Sequence, residues 1–240
     1  MAPKRRVALF TGCFFNYYDP TVSDAAVAVL EHNGFQVVAP NQSCCGLPME
    51  AKGNHQGALR NMALNARSFG QVIDDGYPVV TLCPSCYLFI RRHYIAEKDG
   101  DGKALAGAMT LLSTFLLNLH SHGQLQLSFK TLAETVFYQT PCHMTAAGIG
   151  QPSVDHLKII PGVEISHVST ECCGLSGTWG YEKKNFTLSR NIGQKLFADI
   201  RKFKSDLVIT DCGSCRMQVE AGTAITPLHP IVMLKRAYSK

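Results

Sequence analysis

Residues 78–86 read Pro78-Val79-Val80-Thr81-Leu82-Cys83-Pro84-Ser85-Cys86. A short apolar run of this kind is the signature of a buried strand over 78–82, and the Cys-x-x-Cys that follows it opens a helix. Upstream the same order recurs. The apolar run 7–10 stops just before Thr11-Gly12-Cys13, residues 24–32 carry helical apolar spacing closed by Asn33-Gly34, and a strand over 35–39 leads to Cys44-Cys45-Gly46. A helix over 58–73 then returns the chain to the quoted strand.

The same pattern is written twice. The ten cysteines lie at 13, 44, 45, 83, 86, 142, 172, 173, 212 and 215, and each of the first five has a counterpart 128 or 129 positions later. Each half reads Cys, then 29 or 30 residues, then Cys-Cys-Gly-Leu, then a Cys-x-Ser-Cys that begins 36 or 37 positions after that leucine. Flanking residues repeat too, Thr140-Pro141-Cys142 answering Thr11-Gly12-Cys13 and Thr210-Asp211-Cys212 answering Thr81-Leu82-Cys83. Such self-similarity marks a duplicated module. In the second half it predicts strands over 135–139, 163–168 and 207–210 and helices over 154–160 and 188–203.

Strands alternating with helices imply an α/β fold of two Rossmann-like halves with parallel sheets, right-handed crossovers and a pseudo-two-fold internal repeat. Every cysteine group follows the carboxyl end of a strand, where open α/β sheets place their ligand crevice. Helix N-termini in the same loops add partial positive charge opposite an anionic group. The modules are expected at 1–103 and 131–240, joined by a helical segment over 104–130. Residues 104–129 contain no Asp, Glu, Lys or Arg, and their centre, 105–119, reads as one helix. That helix either packs on the core or presents a docking surface for a partner or the membrane face.

With 240 residues and 46% apolar content, the chain has material for one large domain or two of ordinary size. The net charge of +5 is mild and forms no long basic run, which argues against nucleic acid. No apolar stretch is long enough for a transmembrane span or a secretory signal, so the chain reads as soluble and cytoplasmic. Secreted disulfide scaffolds are small and cysteine-dense. Clustered cysteines in a chain of this length, in a reducing compartment, point to metal or redox chemistry.

Thiolates suit zinc and iron-sulfur clusters. A structural zinc takes four ligands, so a module of five cysteines has one to spare. The adjacent Cys44-Cys45 pair diverges too strongly to hold one small ion easily but can grip different irons of a larger cluster, and Gly46 lets backbone amides approach the cluster sulfurs. One free thiol per module is the alternative. A metal-free thiol-disulfide oxidoreductase needs a single Cys-x-x-Cys and leaves the other cysteines unexplained.

The motifs Cys44-Cys45-Gly46, Cys83-Pro84-Ser85-Cys86, Cys172-Cys173-Gly174 and Cys212-Gly213-Ser214-Cys215 resemble the paired cysteine-rich, or CCG, domains of heterodisulfide reductase. The same domains occur in lactate utilisation protein A and in the CCG-bearing component of anaerobic glycerol-3-phosphate dehydrogenase. The likeness to the last is carried by Thr140-Pro141-Cys142-His143-Met144, by Gly177-Thr178-Trp179-Gly180-Tyr181 after the second Cys-Cys-Gly, by Thr210-Asp211-Cys212 and by His229-Pro230-Ile231. That dehydrogenase component also has an N-terminal ferredoxin-like domain with two C-x2-C-x2-C-x3-C-P runs. They are absent from this sequence, so a separate protein supplies those clusters or the chain is a stand-alone or excised CCG portion.

The resemblance implies a noncubane [4Fe-4S] cluster held by Cys13, Cys44, Cys45, Cys83 and Cys86 and a second held by Cys142, Cys172, Cys173, Cys212 and Cys215. One or two clusters per chain are expected, with zinc in one module as the variant. It implies an iron-sulfur electron-transfer subunit of an oxidoreductase, relaying electrons from a flavoprotein or ferredoxin-like partner to a quinone or disulfide acceptor, cytoplasmic or at the inner face of the membrane. The rival is a structural zinc protein or assembly factor. His143, next to Cys142, is the candidate for donating a hydrogen bond to cluster sulfur or carrying a proton. Trp179 and Tyr181 are read as packing residues, cluster shields or a quinone platform, His229 as a turn residue. No P-loop, strand-linked G-x-G-x-x-G or Ser/His/Asp order supports a nucleotide, flavin or hydrolase site.

Overall fold

In the computed structural model, which describes residues 5–96 and 101–238, strand β1 (Arg5–Phe10) buries its last four residues completely, as a central parallel strand must. A π-helical turn, Phe14–Tyr18, follows it and leads into helix α1 (Pro20–His32), with proline at its N-terminus and Asn33-Gly34 at its end. Strand β2 (Phe35–Val38) comes next, then a loop to Cys44-Cys45, the short α2 (Leu47–Glu50) and the long α3 (His55–Asp74). The Asn54 side chain caps α3 by accepting from the Gly57 N–H at 2.9 Å. Strand β3 (Val79–Thr81) runs into α4 (Pro84–His93), a short 3-10 turn (Tyr94–Ala96), α5 (Asp101–Ala108), β4 (Met109–Leu111) and α6 (Leu112–Ser121). All four strands are parallel, in the order β2-β1-β3-β4.

The second half opens on β5 (Glu134–Gln139) and continues through α7 (Cys142–Ala147), α8 (Pro152–Lys158) and β6 (Val163–Ser169). A 3-10 turn (Trp179–Tyr181) precedes α9 (Phe186–Phe203), β7 (Leu207–Ile209), α10 (Gly213–Thr223) and α11 (Pro230–Tyr238). Its sheet, β6-β5-β7, is again all parallel. The chain thus forms two compact units, Met1–Gln126 and Leu127–Lys240, each with its own sheet. The α/β duplication read from the cysteine spacing is the observed architecture.

Register shows the repeat residue by residue: Leu9 faces Val80 in the first sheet, and Tyr138 faces Ile209 in the second. It also corrects the reading of 105–119 as one helix. That stretch divides into the end of α5, β4 and α6, and β4 pairs along β3. Met109 and Leu111 are both buried there, and the open edge of β3 supplies the hydrogen bonds the backbone needs, so sheet pairing overrides local helix preference. In the second unit Leu228 takes the equivalent place as a single parallel bridge to Ile209, followed directly by α11. The uncharged segment is therefore the last strand-and-helix step of the first unit's sheet.

Cysteine sulfurs are part of the core. In the second unit Cys173, Cys212 and Cys215 pack in one buried cluster with Phe137, Leu196, Phe197 and Val208. In the first unit Phe10 at the end of β1 packs against Phe69 of α3 with ring centroids 5.7 Å apart.

Candidate metal centre

In the order β2-β1-β3, the chain leaves β1 toward one side and later returns on the other, which creates a crevice at the carboxyl ends of β1 and β3. The first unit delivers its cysteines to that point. Cys13 stands three residues past β1, Cys44 and Cys45 lie on the loop after β2, and Cys83 and Cys86 flank the start of α4. Cys13 Sγ donates to Cys44 Sγ at 3.6 Å. Cys45 interacts with Cys44 on one side and Cys86 on the other, and Cys86 with Cys83. All ten cysteines of the chain are free thiols. A cavity of about 250 Å³ adjoins the first pair, bordered by Cys13, Cys44, Asn16, Tyr17, Gln42 and Asn61 among others.

Side-chain amides, half-buried at Gln42 and Asn61 and buried at Asn65, hold these loops. The Gln42 side-chain oxygen accepts from the backbone N–H of Thr11 at 2.8 Å and of Gly12 at 3.2 Å, while its nitrogen donates to the Leu9 carbonyl at 3.2 Å. Asn65, fully buried on α3, accepts from Ser43 N–H at 2.7 Å, and Asn61 donates to the Cys44 carbonyl at 3.1 Å. Tyr94 donates to the Cys45 carbonyl at 2.9 Å; burial pushes its hydroxyl far up, so it stays a proton donor. The carbonyls of both adjacent cysteines are thereby satisfied by side chains rather than left facing the sulfurs. Hydrogen bonds from Cys13 and then Cys45 bring the Cys44 thiol down to about 3, which favours the thiolate a metal requires. Cys13 is raised by the same contact with Cys44, and Cys45 and Cys86 are raised by their partner thiols and burial.

The second unit builds the same plan with different fastenings. Cys215 Sγ donates to Cys173 Sγ at 3.1 Å, and the contact with Cys173, then that with Cys212, pushes the Cys215 thiol well up. Cys142, at the start of α7, lies within the electrostatic reach of Cys212, Cys172 and Cys173. Cys172 Sγ accepts from the Gly174 N–H at 3.3 Å, a contact in which the glycine after the pair brings its amide to sulfur. Cys142 and Cys172 are exposed, whereas their counterparts Cys13 and Cys44 are half-buried. In both units a threonine two positions before the Cys-x-Ser-Cys turn steadies it. Cys83 N–H donates to Thr81 Oγ1 at 3.5 Å and Cys212 N–H to Thr210 Oγ1 at 3.4 Å.

Gly174 shows how tightly the second loop is drawn onto α9. Its φ is +87°, and a Cβ there would stand 2.1 Å from the Ser189 carbonyl oxygen. At Gly46, φ +104°, the nearest atom is a ring carbon of Phe89 at 3.1 Å. Gly46→Ala should cost about 1–2 kcal/mol through the left-handed backbone alone, and Gly174→Ala about 3 kcal/mol or more because α9 must move as well. Denaturant midpoints check this, and equal losses at the two sites would contradict the packing described.

Other residues with motif-level signals take these places. His143 is half-buried in α7, and its backbone amide reaches the Cys142 thiol. His229 Nδ1 accepts from Ile231 N–H at 3.2 Å, fastening the turn into α11. Tyr181 is exposed, with its hydroxyl 3.0 Å from Met217 Sδ, and the Trp179 carbonyl accepts from Asn185 at 3.1 Å. Gln42, Asn61 and Tyr94 belong to no motif and emerge only from the fold. Asn65 has a legible signal, an amide among Ala58, Met62, Ala66 and Phe69 on the buried face of α3.

Among the described residues no group of three or more His, Cys, Asp or Glu is drawn together for one metal ion; the sulfurs meet as linked pairs. Five thiols carried to the ends of the same strands are nevertheless a donor set whose chemistry fits a thiolate-ligated group.

Two stretches, residues 7–91 and 136–220, match the cysteine-rich domain called CCG. The chain belongs to the CCG family. This CCG protein is 34% identical over 236 residues to one of the subunits of anaerobic glycerol-3-phosphate dehydrogenase from Escherichia coli (strain K12), an alignment covering 98% of the chain and 59% of that relative. It is 29% identical over 218 residues to an iron-sulfur protein of Methanocaldococcus jannaschii, covering 90% of the chain and 41% of the relative. With lactate utilization protein A of Geobacillus thermodenitrificans the identity is 29% over 226 residues, 89% of the chain and 90% of the relative. The CCG chain thus spans little more than half of its Escherichia coli relative. Among its described residues no helix is long and apolar enough to cross a membrane.

Proposed function

We propose that this CCG protein is an iron-sulfur electron-transfer subunit of a heterodisulfide reductase-like or dehydrogenase complex, with each unit holding a cluster through its five cysteines. The observation that carries the reading is the placement of five free thiols on the loops and helix starts that follow the strand ends of each unit, in a family with iron-sulfur and dehydrogenase-subunit relatives. The ligands would be Cys13, Cys44, Cys45, Cys83 and Cys86 in the first unit and Cys142, Cys172, Cys173, Cys212 and Cys215 in the second. Five thiolates and an adjacent Cys-Cys pair favour a noncubane [4Fe-4S] arrangement. When bound, such clusters exchange single electrons.

The chain's own residues bind, orient and shield. Gln42, Asn61, Asn65 and Tyr94 orient the first pair of loops, while burial of Cys45, Cys83 and Cys86 keeps water from most of the first ligand set. A flavoprotein or ferredoxin-like partner delivers electrons, and a quinone or a disulfide receives them, on the cytoplasmic side, in solution or at the inner face of the membrane. Anaerobic purification with iron, sulfide, zinc and visible-absorption analysis tests the reading. Iron and sulfide with broad visible absorption are expected; stoichiometric zinc in both units, without iron, would reject it in favour of a structural zinc protein.

A relay also needs its donor's enzyme. Alcohol donors yield two electrons with a proton, and a flavoprotein must divide them. The cluster-loaded chain should therefore leave lactate and glycerol 3-phosphate unoxidised with an artificial acceptor until a flavoprotein is added. Substantial turnover by the chain alone would mean that it has a dehydrogenase site of its own.

A further inference from the structure

The matched registers allow the two cysteine crevices to be compared position by position. In the first unit, the strand residue Leu9 and the residue before the Cys-x-Ser-Cys turn, Leu82, are both apolar and buried. In the second unit the same two places hold Tyr138 and Asp211, which are 0% and 2% exposed. Tyr138 donates its hydroxyl to Asp211 Oδ2 at 2.6 Å, and Ser153 of α8 donates to Oδ1 at 2.6 Å. Both carboxyl oxygens thus act as acceptors, and these two partners are hydroxyls that bring no positive charge. A buried charge directly before Cys212 has no equivalent beside Cys83.

We propose that Asp211 is a positioning charge that holds the reduction potential of the second unit's cluster below the value it would have with the leucine found in the first. The inference rests on the reading that each unit carries a cluster. Adding an electron beside a fixed negative charge is opposed by Coulomb repulsion, which is strong where water is excluded, and net charge around a cluster is among the terms that set its potential. The hydroxyls of Tyr138 and Ser153 stabilise the carboxylate without neutralising it. The duplicated modules thereby become unequal, the second being a weaker electron acceptor than its ligand set alone would make it.

The test is an EPR-monitored redox titration of the full chain and of its Asp211→Asn, Asp211→Leu and Asp211→Glu variants, with iron and sulfide counted in each. Cys45→Ser, which disables the first site, identifies the signal belonging to the second. Asp211→Asn, close in shape, should raise the second midpoint at unchanged iron content while the first stays fixed. Asp211→Leu should do the same, and Asp211→Glu should return the midpoint toward wild type. Unmoved midpoints with iron intact would overturn the inference, as would equal shifts of both signals, which would mark a general structural disturbance. Absence of iron from the second unit of the wild-type chain would instead overturn the two-cluster reading, and the inference with it.

Discussion

Serine at position 45 should remove the cluster of the first unit and leave the second intact, taking away roughly half of the iron per chain. Cys173→Ser should do the converse. Each residue is the buried member of its Cys-Cys pair and contacts the second cysteine of the Cys-x-Ser-Cys turn, Cys86 in one unit and Cys215 in the other. Serine nearly keeps the volume but loses the soft thiolate. Iron and sulfide per chain, with EPR of each variant, make the measurement. Full iron and unchanged spectra in both variants would mean that four cysteines suffice and that the inner member of each pair is a core residue.

Stripping the metal should lower the melting temperature by on the order of 10 °C or more. Three loops meet at each crevice, and in the first unit they are tied by side-chain amides and one tyrosine hydroxyl. Without a shared metal, several buried thiols face one another with little but weak sulfur hydrogen bonds between them, and the ligand-binding free energy is lost from the folded state. Calorimetry before and after anaerobic chelation or oxidative bleaching reads the difference. An unchanged melting temperature would make the sites peripheral to the fold.

What is legible in the sequence follows from period and spacing. Six of the seven strands can be placed to within a residue or two because each is a short apolar or alternating run that leads toward a cysteine motif, and the duplicated offsets let one half check the other. Strand β4 escapes because three residues, Met109-Thr110-Leu111, carry no usable period and sit among strong helix formers. Its existence depends on an open sheet edge that only the folded unit provides. The turns beside the cysteines, the π-helical Phe14–Tyr18 and the short α2 and α7, are too brief to have a pattern of their own. At the site, the cysteines are legible from spacing alone. The residues that aim them are not, since Gln42, Asn61 and Tyr94 act through backbone carbonyls and amides that only the loop conformation brings near. Asp211 is in plain view as a charged residue closing an apolar strand, but its meaning needs Tyr138 and Ser153 beside it.

The parallel ladders also govern how this chain comes into being. Ala8 pairs with Val79, and Val136 with Leu207, so the central contact of each sheet joins segments separated by most of a module. Such remote pairings are slow to find because long loops must close before any contact rewards them. During synthesis, β1 and the thiol of Cys13 must wait until β3 has emerged before the first sheet can close, and β4 must follow to cover its edge. The first unit is complete before β5 has been made. All the segments that carry the amino-terminal thiols are thus available to one another while their carboxy-terminal copies are still untranslated.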